Sequence, residues 1–409
     1  MTARRVCPHP WPGLFGQRPS RHKDLTVFIE DVTRESKVEG SVRGVNGGFI
    51  SRPDRGALLI EEDNQLRGFH RLLALLCKGN NVGLSRGGDQ HSLTNRPGNI
   101  PGKDPTVAVE LDTRIDLYTR VAQETSQGVI RRYSTSFGLA SRLLQPRVRT
   151  HIGNFYALVR LADEIVDGVA AEAGVSPEEA RVMLDALEAD TERALQVGYS
   201  TNLIVHAFAF SARSVGVTAE LTAPFFHSMR MDLTETEHTP ESFREYVYGS
   251  AEVVGLMCLE AFLEDVDVSP QDRDTMVTGA RALGAAFQKV NFLRDLGADV
   301  QALGRSYFPG VSVESLDEET KHRLLDDIDQ DLAHSAAALP LLPHNARRAV
   351  SLAHVLFEAL GERIRKTPAT VLQTSRISVP DVTKAVLALR VLGGYVPSAP
   401  RSIRKASRV

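Results

Sequence analysis

Asn154–Gly168 reads NFYALVRLADEIVDG. Leu, Val, Ile and Ala recur through it at helical spacing, which predicts a buried helix. Yet Tyr156, Arg160, Asp163 and Asp167 follow one another at steps of four, three and four. On a helix those steps place an aromatic ring, an arginine and two acids on one stripe. Carboxylates four residues apart sit about 6 Å from each other and repel. Mg2+ is commonly held by one or two carboxylates together with substrate phosphates, and would offset that repulsion. Arg160 adds a group that grips phosphate bidentately. Taken alone, the spacing also describes a solvated face, but the apolar Ile165 and Val166 between the acids speak against it.

A second stripe lies in Gly284–Val300, GAAFQKVNFLRDLGADV. Gln288, Asn291, Asp295 and Asp299 fall at steps of three, four and four, with Arg294 beside them. Asn-xxx-Asp-xxx-Asp supplies oxygen ligands on successive turns. Two such helices facing across a bundle would make a cavity with carboxylates at its mouth, suited to a diphosphate held through bridging Mg2+.

Around these two segments the chain is helical in texture. Apolar periodicity predicts helices over 111–132, 150–168, 177–197, 200–215, 219–233, 241–264, 270–300, 317–335, 344–365 and 379–393. SPEEA (Ser176–Ala180) offers a serine cap, proline in the first turn and glutamate three residues on, and TPESF and SPQD repeat the device. No alternation of strands and helices is evident. The expected fold is all-α, a helical bundle around a central cavity.

The flanks differ in composition. Residues 1–100 hold 15 Lys and Arg against 10 Asp and Glu, and 13 of the chain's 31 glycines. Residues 1–108 therefore predict a poorly ordered, Gly/Pro/Arg-rich extension, or a translation start placed too far upstream; a partner-binding arm is the functional alternative. The helical region covers 109–395, and 396–409 is a basic tail. That tail is read as a solvated terminus, or as a contact with anionic lipid at the inner face of a membrane.

With a net charge of −3 the chain has no overall basic field, and no nucleic acid is expected. Cys7, Cys77 and Cys258 lie far apart and predict no disulfide framework, so a reduced, cytoplasmic chain is expected. The opening residues show no apolar segment of a secretory signal. Isolated histidines such as His151, His206 and His227 suggest no metal cluster.

Several segments, in order, resemble the squalene/phytoene synthase family over roughly residues 115–395. YSTSFGLASRLL (Tyr133–Leu144) resembles its Ser-x-Ser-Phe segment. YALVRLADEIVD (Tyr156–Asp167) is similar to its first aspartate motif. YVYGSAEVVGLM (Tyr246–Met257) resembles a small-residue helix. LGAAFQKVNFLRDLGADVQALGRSYFP (Leu283–Pro309) resembles the second aspartate motif and the Gly-Arg-x-Tyr-x-Pro that follows.

The resemblance implies an isoprenoid synthase-type bundle and head-to-head prenyl transfer. Asp163 and Asp167 on one wall, and Asn291, Asp295 and Asp299 on the other, would hold Mg2+, with Mn2+ as a substitute. Arg160 and Arg294 would contact the diphosphate. Ser134 and Ser136 would bond it or order a flap. Tyr156 and Gln288 would line the cleft, Arg305 and Tyr307 would sit on a closing loop, and Arg376 would be the family's late arginine. Departures are Thr135 where many members have lysine, Glu164 in place of a second aspartate and pointing off the stripe, and no tyrosine near His354 and Phe357. Wording such as GRSYFP is nearest the bacterial phytoene synthases. It implies condensation of two geranylgeranyl diphosphates, through a cyclopropylcarbinyl diphosphate, to phytoene without NADPH. The alternatives are a squalene or dehydrosqualene synthase using farnesyl diphosphate, and a non-catalytic assembly factor of the same fold. Partners would be prenyl diphosphates and downstream isoprenoid enzymes. A chain-elongating synthase or cyclase would lack the Ser-x-Ser-Phe segment and the Gly-Arg-x-Tyr-x-Pro loop.

Overall fold

A computed structural model describes residues 113–134, 136–166, 169–303, 306–312 and 315–399, without the side chains of Ser136 and of 297–303. The extension over 1–108 and the tail beyond residue 399 lie outside the described residues. The helices are, in chain order, α1 (Arg114–Tyr133), α2 (Ser136–Ser141), α3 (Pro146–Val166), α4 (Val169–Glu172), α5 (Pro177–Val197), α6 (Leu203–Val215), α7 (Ala219–Thr234) and α8 (Pro240–Val247). After a π turn, Tyr248–Glu252, come α9 (Val253–Phe262), α10 (Pro270–Leu303), α11 (Glu318–Ala338), α12 (Arg347–Lys366), α13 (Ala369–Leu372) and α14 (Asp381–Leu392). Among the described residues there is no strand, only an isolated parallel bridge between Glu237 and Ser306. None of the described helices is long and apolar enough to cross a membrane.

Local chemistry sets the ends of these helices. At the start of α5, Ser176 Oγ accepts from the Glu179 N–H and the Glu179 carboxylate accepts from the Ser176 N–H. Pro177 occupies the first turn, and Gly198, at φ 79°, closes the helix in the left-handed region. The expected 241–264 helix is interrupted. A proline-started α8 runs into the π turn and only then into α9. A π turn adds a residue without altering the apolar texture, so periodicity does not reveal it. The short α2, α4 and α13 were also not predicted, being too brief to show a period.

Two apolar clusters flank a hollow. One gathers Phe155, Leu158, Leu184, Phe208, Phe225 and Val253 from α3, α5, α6, α7 and α9. The other gathers Val290, Leu293, Leu325, Ile328, Phe357 and Ile364 from α10, α11 and α12. α10 is the central strut. Its Lys289 Nζ donates to Asp327 at 2.5 Å and Asp331 at 2.8 Å on α11, fixing the register of that pair.

Three histidines are built into this frame as neutral groups. His151 Nδ1 lies 2.9 Å from Ser211 Oγ and its Nε2 lies 3.1 Å from Glu264, joining α3 to α6 and to the end of α9. His206 meets Thr119 at 2.9 Å, and His354 meets the Leu332 carbonyl at 3.0 Å. Burial pushes all three below the ordinary imidazole pKa. The unfolded chain therefore binds protons more readily below about pH 6.5, and stability falls with falling pH by at most about 1.4 kcal/mol per pH unit per histidine. The melting temperature should drop between pH 7.5 and 5.5, and His354→Gln should flatten that slope. A melting temperature that is level or rises on acidification would refute this account.

Candidate active site

The hollow between the clusters is a cavity of about 530 Å³. α3 contributes Tyr156, Arg160 and Asp163 to its wall, and α10 contributes Gln288, Asn291, Arg294 and Asp295. The two stripes read from the sequence thus open onto one space. Away from them the wall becomes apolar, through Val159 and Phe287 to Leu339 and Leu342. Ile165, Val166 and Val290 do not line it; they are packed in the flanking clusters.

On α3, the Arg160 guanidinium lies over the Tyr133 ring, 4.5 Å from its centroid, and forms an ion pair with Glu164 one turn on. Glu164 was expected to point off the stripe. Instead it partners Arg160, because a residue four positions later lies on the same side of the helix. Burial opposes charge on Arg160, but Glu164 and Asp163 outweigh it and raise its pKa. Burial also raises the pKa of Tyr156, with Arg160 pulling the other way, so its hydroxyl stays protonated. Ser134, at the start of the expected flap, accepts from the Phe137 N–H at 3.2 Å and hydrogen-bonds Tyr156. It shapes the approach to α2 and is not part of the wall itself.

On α10, Asp295 is the hub. Arg294 grips its carboxylate with two donors, Nε at 2.9 Å and Nη2. Arg376, from the segment before α14, donates Nε to the same carboxylate at 2.9 Å. The late arginine and the second acidic stripe therefore meet, although 81 residues separate them. Gln288 reaches Ser250 Oγ of the π turn at 3.4 Å. Tyr307 differs from expectation. It is buried and stacks on Phe292 at 4.0 Å, so it belongs to the wall and not to an open flap. Its aromatic surroundings, His238 and Tyr246, come from elements distant in sequence.

Asp167 and Arg305 lie outside the described residues. Asp299 is on α10 and Ser136 on α2, but their side chains are not described. Sequence reasoning missed Asp232 on α7. It is buried, lines the cavity, and accepts from the Tyr246 hydroxyl at 2.9 and 3.0 Å. A signal existed: Phe225, Met229 and Asp232 share the inner face of α7, where an acid stands in an apolar stripe. Cys258 also opens onto the cavity, and burial pushes its thiol up to about 12, so it is an inert apolar lining group.

Two buried polar atoms here lack a partner among the described residues: Asn291 Oδ1 and Arg160 Nε. One is an acceptor of the kind a hard cation takes, the other a donor suited to a phosphate oxygen. No three acids, histidines or cysteines converge among the described residues. The oxygens of Asp163, Asn291 and Asp295 around one cavity nevertheless form a donor set that fits Mg2+, with phosphate oxygens completing the shell.

A model of the squalene/phytoene synthase family matches residues 130–383. A 15-cis-phytoene synthase of Paracoccus sp. is 29% identical over 287 residues, covering 66% of this chain and 90% of the relative. A 15-cis-phytoene synthase of Enterobacter agglomerans is 28% identical over 298 residues, covering 66% of this chain and 96% of the relative. A solved dehydrosqualene synthase in complex with ligand superposes with a TM-score of 0.55 at 20% identity, covering 68% of this chain and 99% of that one, and shows a shared fold. The match spans both acidic stripes, the wall between them and the segment carrying Arg376, and on that extent the chain belongs to the squalene/phytoene synthase family.

Proposed function

We propose that this chain is a Mg2+-dependent head-to-head prenyltransferase that joins two geranylgeranyl diphosphates to form phytoene. One observation carries the reading. Arg160 and Asp163 from α3, and Asn291 and Asp295 from α10, line the polar end of a single cavity whose remaining wall is mostly apolar. That is the polarity of an allylic diphosphate, charged at one end and hydrocarbon along the rest.

Asp163, Asn291 and Asp295 would hold Mg2+, joined by Asp167 and Asp299. The cation supplies Lewis acidity that neutralises the leaving diphosphate. Arg160, kept charged by Glu164, and Arg294 and Arg376 around Asp295 stabilise the same developing charge. The apolar wall, Phe287 and Phe292 among it, keeps water from the allylic cation. The Asp232–Tyr246 pair presents an oriented polar group to the same space. Joining the two diphosphate-bearing ends releases both diphosphates and two protons with no change of oxidation state, so no reductant is needed and no nicotinamide is assigned.

Purified chain with Mg2+ and geranylgeranyl diphosphate should release a C40 hydrocarbon without NADPH, and EDTA should abolish this reversibly. The shared fold with a dehydrosqualene synthase supports one rival, a farnesyl diphosphate enzyme. Product from farnesyl diphosphate alone would establish that rival. Absence of turnover with either substrate would favour an assembly factor.

A further inference from the structure

The inner face of α10 measures the cavity. Asp295 and Asn291 stand at one end, and Met276 is the lining residue of this helix farthest from them. The 19 steps from Met276 to Asp295 span about 28 Å of helix axis. Between the ends the lining side chains of α10 are Ala280, Leu283, Phe287 and Gln288. Gly279 and Gly284 add nothing to the lumen, since their Cβ positions are already filled by Ala338 and by the Ala251 carbonyl. Met276 ends this series. It is 2% exposed and packs with Leu144, Phe262, Leu339 and Leu342, which close the far end.

An extended chain advances about 1.2 Å per bond. A C20 prenyl tail, with about 15 main-chain bonds, then reaches about 18 Å, a C15 tail about 13 Å and a C25 tail about 23 Å. The diphosphate and its ligands take up about 8 Å of the acidic end, one and a half turns of helix. About 20 Å remains before Met276, enough for C20 and short for C25. We infer that Met276 is the floor of the tunnel and sets its ceiling at a C20 prenyl chain. This rests on the prenyltransferase reading above and adds to it which side chain selects the substrate. Ala280, one turn nearer the acids, is where a larger residue would lower the ceiling to C15.

The test compares kcat/KM for farnesyl, geranylgeranyl and geranylfarnesyl diphosphates with Mg2+. The unaltered chain should use C20 and reject C25. Met276→Ala should raise the C25:C20 ratio at least about 100-fold, the discrimination an apolar pocket gains from a few carbons. Ala280→Phe should lower the C20:C15 ratio by a similar factor. Melting curves identify any variant that does not fold, and if Met276→Ala is lost the Ala280→Phe ratio decides alone. Turnover of C20 with both ratios unchanged overturns the floor and leaves the activity standing. No turnover of any chain length by the unaltered protein overturns the activity itself.

Discussion

Asp295→Ala should lower kcat/KM with geranylgeranyl diphosphate by about a thousandfold, equivalent to about 4 kcal/mol of transition-state stabilisation. The size follows from the company this carboxylate keeps. It supplies an oxygen for the cation and also holds Arg294 and Arg376, both of which donate to it at 2.9 Å. Truncation removes the ligand and releases two phosphate-binding cations at once. Stability should barely change, because Asp295 and Arg294 remain about one-fifth exposed and Arg376 more than half, so water solvates the freed arginines. Far-ultraviolet circular dichroism should therefore match the unaltered chain. Asp295→Asn, which keeps the shape and one acceptor, should retain the two Nε contacts, lose that of Arg294 Nη2, and still lose most activity. Near-normal turnover in either variant would remove Asp295 from the metal site.

The contrast between Asp295 and Asp232 shows what a sequence can disclose. Asp295 belongs to a stripe with period 3.6 on an apolar helix, and that geometry is local, so spacing alone brought Asn291 and Asp295 to one face. The α3 stripe was legible for the same reason: Tyr156, Arg160 and Asp163 all reach the cavity. Asp232 stands alone, and its meaning comes from the Tyr246 hydroxyl, 14 residues away beyond a turn and a new helix. Arg376 bonding Asp295 and Tyr307 stacking on Phe292 are likewise pairings between distant segments. Resemblance to a family named Arg376 and Tyr307 as site residues, but not their partners. The register after the π turn was hidden more deeply. It brings Tyr246 to the same cavity as the stripe of Ala251, Gly255, Cys258 and Phe262, whereas a single continuous 241–264 helix would have set Tyr246 about 140° away from Ala251.

That alignment depends on a contact too close for any side chain, and this supports a second large effect. A Cβ on Gly255 would lie 2.5 Å from the Ala280 carbonyl oxygen, and one on Gly284 would lie 2.5 Å from the Ala251 carbonyl oxygen. Both obstacles are backbone atoms, one in α10 and one in the π turn, which cannot rotate aside as a side chain would. Gly284→Ala therefore has to push the π turn and α9 away from α10. Overpacking of this kind costs about 3 kcal/mol, and the better helix propensity of alanine returns about 1. For a domain of this size the net should lower the melting temperature by about 3–4 °C. Gly255→Ala should behave alike, and the pair should be less than additive, since one displacement relieves both clashes. Gly128 on α1 provides the contrast: nothing lies within 4 Å of its Cβ position, so Gly128→Ala should be neutral or slightly stabilising. If Gly284→Ala and Gly128→Ala melt alike, the close approach of α9 to α10 is not what holds the tunnel wall. If only Gly284→Ala and Gly255→Ala melt early, and their turnover falls further than their folded fraction, the wall's position governs chemistry as well as stability. The π turn carries Ser250, the partner of Gln288, so a displaced wall would also disturb the polar end of the cavity.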